Sequence, residues 1–149
     1  MSSDSHFRAG IDLGGSKISA IVASDNGTLS GHHKVETPHE GSFEPIATAM
    51  GNCLGEALAQ AGLSLSDIEA VGVGVPGPVD PDGCVAVMPN LDLQDTPVAS
   101  ALASVLGRPV TVENDVNLAT LAEYHLGAGR GLHSIYGIVP GTGVGGGYV

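Results

Sequence analysis

Apolar residues come in short runs through the first quarter of the chain, and turn residues separate the runs. Residues 7–13 read as an apolar strand, broken by Asp12-Leu13-Gly14-Gly15. Residues 18–23 resume as a strand, and Asp25-Asn26-Gly27 marks a turn before a third strand at 29–36. Three strands joined by tight turns predict an antiparallel meander. The period then lengthens. Phe43, Ile46, Ala47, Met50, Leu54, Ala57, Leu58 and Ala61 recur at steps of three and four, which predicts a helix with Ser42 as N-cap and Gly62 just past its end. Residues 68–75 read as a buried strand stopped by Pro76-Gly77-Pro78, and 85–88 as a short strand. A helix at 98–106 closes at Gly107, a strand follows at 110–112, and a helix at 115–126 ends at Gly127. Gly141-Thr142-Gly143 turns a last hairpin, 134–139 with 144–149. The order β-β-β-α-β-(β)-α-β-α, followed by a hairpin, predicts an α/β fold: a mixed five-stranded sheet with helices on both faces.

Composition narrows the chemistry. The chain has 149 residues, enough for one core and a fragment of a second unit. Five Lys+Arg stand against 16 Asp+Glu, a net charge of −11. That balance excludes a nucleic-acid footprint, yet it permits a small nucleotide, which backbone amides and one or two cations can hold. Trp is absent and aromatics make up 3%, which speaks against base-stacking platforms. Cys53 and Cys84 have no CxxC spacing and read as buried or half-buried thiols in a reducing compartment, so a cytoplasmic location is expected. Neither a signal peptide nor a membrane-spanning apolar run is visible. Glycine is the outlier at 23 residues, clustered at the ends of apolar runs.

Two stretches spell GxGxxG without its context. Gly72 to Gly77 follows a strand, but Pro76 and Pro78 prevent a helix from opening; Gly141 to Gly146 leaves no room for one. Asp12-Leu13-Gly14-Gly15-Ser16-Lys17 carries more. A strand ends in a carboxylate, two glycines let the backbone approach a ligand, and a hydroxyl and an ammonium follow. Those parts suit a polyphosphate and a magnesium ion, with Asp12 holding the ion or its water shell. An ordinary hairpin turn explains the same residues equally well. Gly141-Thr142-Gly143 repeats the arrangement at the head of the second hairpin. Asp115 stands where a strand runs into a helix. It or Asn114 would serve as N-cap, and its place at the carboxyl end of a strand also suits a general base. Gly77 and Asn90 lie in turns that could reach the same ligand.

Ile11 to Lys17, Gly74-Val75-Pro76-Gly77-Pro78-Val79, Glu113-Asn114-Asp115-Val116-Asn117 with Ala122-Glu123, and Gly141 to Gly147 occur in this order. Together they resemble the ROK family of sugar kinases and repressors, within the actin-like ATPase and hexokinase superfamily. The resemblance implies an N-terminal ribonuclease H-like domain over residues 7–133, after a disordered 1–6, with 134–149 opening a C-terminal domain. It implies ATP as phosphoryl donor, Mg²⁺, and a hexose or amino sugar as acceptor. Gly14, Gly15, Ser16 and Lys17 would form the first phosphate loop, and Gly141, Thr142 and Gly143 the second. Asp115 would be the catalytic base, and Gly77, Asn90 and Asn114, with Asp115, the sugar contacts. Ser16 stands where the family usually has Thr. The family's zinc-binding cysteines would belong to a further half of the protein. Two alternatives remain open at this stage: a non-catalytic half-kinase, and a sugar-responsive repressor, which would need a basic helix-turn-helix ahead of the first strand. A homodimer is expected, because apolar residues of the last hairpin would pair with a second copy.

Overall fold

A computed structural model describes residues 6–39, 41–140 and 144–149 of the chain. In order these are β1 (Phe7–Leu13), β2 (Lys17–Ser24), β3 (Leu29–Glu36), α1 (Phe43–Ala61), β4 (Ile68–Val75), β5 (Val85–Met88), β6 (Leu93–Thr96), α2 (Val98–Leu106), β7 (Thr111–Asn114), α3 (Asp115–Leu126), β8 (Tyr136–Pro140) and β9 (Val144–Tyr148). Of the N-terminal segment expected to be disordered, residues 1–5 lie outside the described residues, as do Gly141, Thr142 and Gly143.

The main sheet has five strands in the order β3-β2-β1-β4-β7. β1, β2 and β3 form the antiparallel meander, while β4 and β7 add in parallel on the other side of β1. Alternation along the strands sorts the two faces. Ile11 and Leu13 of β1, Ile18 and Val22 of β2, and Val73 and Val75 of β4 are buried in one core with Met50 and Leu54 of α1 and Val98 and Leu102 of α2. Fully burying one such side chain stabilises the fold by about 1.5–3 kcal/mol. α1 lies close enough to β3 that a Cβ on Gly31 would strike the Ala57 carbonyl. α3 stands on the opposite face, where Leu118 approaches Gly74. The sheet therefore carries helices on both faces, as the element order predicts.

α1 ends as expected, with Gly62 left-handed at φ 69° and its N–H on Ala59 O. Its start differs: Ser42 occupies the N-cap position but its side chain makes no capping bond. β6 was not expected. It pairs with β5 in a small separate sheet, and its sequence Leu-Gln-Asp-Thr has too few apolar residues to signal a strand. The β8–β9 hairpin also forms its own two-stranded sheet and packs on α3 through Gly137, Gly145 and Gly147, which meet Val116 and Thr120.

Candidate active site

β1 and β2 are joined through Gly14, Gly15 and Ser16. The Gly14 N–H donates to Lys17 O at 2.9 Å. Thr37, buried just beyond β3, braces the turn: its hydroxyl donates to Gly14 O at 2.8 Å and its N–H to Ser16 O at 3.0 Å. With those carbonyls tied down, the Gly15 and Ser16 amides have no protein acceptor among the described residues. Neither Gly14 nor Gly15 has a positive φ. Gly15 is required for space: a Cβ there would lie 2.8 Å from Asn90 Cβ.

Asp12 sits on the face of the sheet opposite the core, and strand register puts it in a row running Lys34–Ser19–Asp12–Gly74–Glu113. The absent side chain of Gly74 leaves a gap between two acids. A Cβ there would be 3.6 Å from Asp12 Oδ1, 3.8 Å from Asp115 Cα and 3.3 Å from Leu118 Cδ1. Desolvation, and secondarily the Asp115 charge, raise the Asp12 carboxyl above its ordinary pKa; Lys34 opposes them. The Asp12 carboxylate remains open to solvent and has no hydrogen-bond partner among the described residues. Magnesium is usually held by one or two carboxylates together with waters and phosphate oxygens. An unpartnered, solvent-open carboxylate in a cleft fits that requirement. Cys53 is buried with its thiol toward Ile18 O and His33 O, and Cys84 is half-buried; both are free.

Asp115 opens α3, and Asn114 caps it. The Asn114 Oδ1 accepts from Val116 N at 3.0 Å and Asn117 N at 3.1 Å. The Asn114 Nδ2 donates to Gly77 O and to Asp115 Oδ1, both at 3.1 Å. Asp115 lies in the shared wall of two clefts. One, of about 640 Å³, is lined by Asp12, Ser19, Gly72, Gly74 and Leu118; the other, of about 500 Å³, by Gly77, Pro89, Asn90 and Asn114.

The structure thus brings together Asp12, Gly15, Gly77, Asn90, Asn114 and Asp115. Ser16 and Lys17 are exposed at the outer edge of the turn and line neither cleft. The second glycine turn, 141–143, lies outside the described residues, but Val139 borders both clefts and Gly145 borders the second. Sequence reasoning missed Thr37 and Lys34, and it placed Glu113 in a motif without a role. The register of the meander could have signalled Lys34, since pairing Asp12 with Ser19 leads on to Lys34. Nothing local announces Thr37, whose partner Gly14 is distant in the chain.

The family description "ROK family" matches residues 8–149. The glucokinase of Streptomyces coelicolor is 37% identical over 144 residues, covering 94% of this chain and 42% of that protein. The N-acetyl-D-glucosamine kinase of Pasteurella multocida is 33% identical over 144 residues, covering 96% and 46%. Among solved structures, a ROK family glucokinase from Streptomyces griseus, in complex with glucose and AMPPNP, superposes with a TM-score of 0.85 at 37% identity, covering 96% of this chain and 44% of that one. The chain spans less than half the length of these relatives. A family match over almost every residue, the meander followed by βαβ units, and the four ordered motifs agree: the chain belongs to the ROK family.

Proposed function

We propose that this chain forms one wall of a sugar kinase, which transfers the terminal phosphoryl group of ATP to a hydroxyl of a hexose or amino sugar. The observation that carries the reading is the place of Asp115, between a cleft headed by the free carboxylate of Asp12 and a cleft bordered by Asn90. The relatives named glucokinase and N-acetyl-D-glucosamine kinase, and the glucose and AMPPNP bound in the Streptomyces griseus protein, support it.

In this reading the sugar occupies the cleft beside Asn90, Gly77 and Asp115. The nucleotide lies toward Asp12 and the β1–β2 turn. Asp115 accepts the proton of the attacking hydroxyl as its oxygen bonds to phosphorus, and ADP departs from the far side. The Gly15 and Ser16 amides and the Lys17 ammonium bind phosphate oxygens, and Gly141, Thr142 and Gly143 would supply the second phosphate loop that the family resemblance implies. Magnesium, held through Asp12, would neutralise phosphate charge. Catalysis is then mostly alignment and charge neutralisation in a closing cleft.

The test is an ADP-release assay on the whole protein with ATP and a panel of glucose, mannose, fructose, N-acetylglucosamine and N-acetylmannosamine. Turnover with at least one sugar, lost in Asp115→Asn, is expected. Absence of turnover with every sugar would refute the reading.

A further inference from the structure

The chain has only five Lys and Arg residues, and the fold engages the arginines away from the cleft. Arg8 pairs with Asp25 and Glu69, both at 2.9 Å. Arg108 donates to the carbonyls of Leu65, Ile68 and Glu69. Arg130 lines a separate hollow beyond α3 with His125 and His133. The two lysines remain, and both stand on the open face of the main sheet. Alternation fixes this: Ile18, Ala20 and Val22 of β2 and Gly31 of β3 are buried toward the core, so Lys17, Ser19 and Lys34 point to the other side.

The two lysines differ in what faces them. Lys17 stands directly across from Glu36, an acid. Lys34 stands across from Ser19, and Ser19 across from Asp12, so Lys34 lies two strands from Asp12 at the same level of the sheet. At the usual strand spacing their backbones are about 9–10 Å apart. Asp12 and Ser19 line the larger cleft. Lys34 stands at its rim, exposed, with no carboxylate in ion-pair range among the described residues. Ser19 is small, and its hydroxyl is engaged with His32 Nε2 at 3.2 Å, so nothing bulky separates Lys34 from the cleft. A flexible four-carbon stem lets the ammonium swing over Ser19. Its charge is felt at Asp12, where it opposes that of Asp115. The cleft needs such a charge: Asp12 and Asp115 both line it, and the chain carries −11, a field that repels a triphosphate.

We infer that Lys34 is a further phosphate-binding residue of the donor cleft, reaching over Ser19 to the phosphate oxygens of the nucleotide. Lys34 and Asp115 stand at opposite ends of the cleft, on either side of Asp12. The cation therefore draws the charge of the phosphate chain toward the end remote from the base. This inference rests on the reading of that cleft as a nucleotide site.

The experiment uses the whole protein with Lys34→Met, which keeps the stem and removes the charge, and Lys34→Arg, which keeps the charge. Lys34 is exposed and bonded to nothing among the described residues, so both variants should melt within about 2 °C of the parent. Calorimetry with ATP and magnesium reads binding without turnover. At low salt Lys34→Met should bind about 3- to 10-fold more weakly, and the deficit should shrink at high salt, as for one solvent-screened charge contact. Lys34→Arg should bind within about twofold of the parent, since a point charge is what the phosphates need. By ADP release, Lys34→Met should raise the KM for ATP by a similar factor and leave kcat and the sugar KM within about twofold, the pattern of a residue that binds ground state and transition state alike. Parental ATP affinity in Lys34→Met, a deficit indifferent to salt, or an equal loss in Lys34→Arg would overturn the inference while leaving the proposed function standing. A parent that binds no ATP would instead refute the nucleotide reading, and the inference with it.

Discussion

Replacing Asp12 by Asn should make the protein more stable at neutral pH. The carboxyl of Asp12 is raised above its ordinary pKa of 3.8, first by desolvation and then by Asp115. Between 3.8 and the raised value, the folded state binds more protons than the unfolded chain. Stability from this group is therefore full below 3.8, falls as pH climbs through the raised value, and stays at the lower level above it. Asparagine does not titrate, so the variant's advantage should open as pH rises and close toward pH 4. A Cβ at Gly74 would lie 3.6 Å from Asp12 Oδ1 and 3.8 Å from Asp115 Cα, which puts Asp12 Oδ1 no further than about 7 Å from the Asp115 backbone; unit charges at about that range in a solvent-open cleft repel by about 0.6–1.2 kcal/mol. Physiological salt removes roughly half of that. With the larger contribution of desolvation added, the gain should be on the order of 1 kcal/mol, a rise in Tm of about 2–4 °C for a chain of this size. Thermal melts of both proteins between pH 4 and pH 8, at low and high salt, measure it. A variant that melts below the parent at neutral pH, or a gap independent of pH, would refute the reasoning and make Asp12 an ordinary structural acceptor. The same melts with added magnesium and ATP should stabilise the parent more than the variant.

Asp115→Asn in the whole protein should leave sugar affinity within a few-fold and lower kcat by about 10²-fold or more, read by ADP release; near-parental kcat would end its assignment as base. Gly15→Val should weaken binding of ATP with magnesium without unfolding the chain, as measured by calorimetry. Because the new side chain must push Asn90, sugar affinity should fall as well. Arg108→Met removes a guanidinium that donates to Leu65 O, Ile68 O and Glu69 O, and should cost about 2–3 kcal/mol in urea unfolding. Cys53 and Cys84 both have thiols raised by desolvation, with Asp80, Asp95 and Asp82 adding to the rise at Cys84, so a thiol reagent should modify the folded protein slowly at neutral pH.

Much of this molecule could be read from local sequence. Strands and helices follow from the period of apolar residues, and their ends follow from residues with special backbone chemistry. Gly62 and Gly107 close helices in the left-handed region, and Pro76 and Pro78 forbid a helix after β4. Asn114 caps α3 because a short side chain with an acceptor oxygen suits that position wherever it occurs. The motif residues Asp12, Gly77, Asn90 and Asp115 were likewise recognisable one stretch at a time. What they do to one another was not. Parallel pairing of β1 with β4 sets Asp12 beside Gly74, and the missing Cβ lets the Asp115 charge act on Asp12. Thr37 braces a turn whose residues lie far from it in the chain. Asn114, legible as a cap, became a clamp only when folding brought Gly77 O within 3.1 Å of its amide. Propensity and capping act within a few residues and leave their mark in the local sequence. Strand register, helix-to-sheet distance and the overlap of electric fields depend on how distant segments pack, and the folded chain alone decided them.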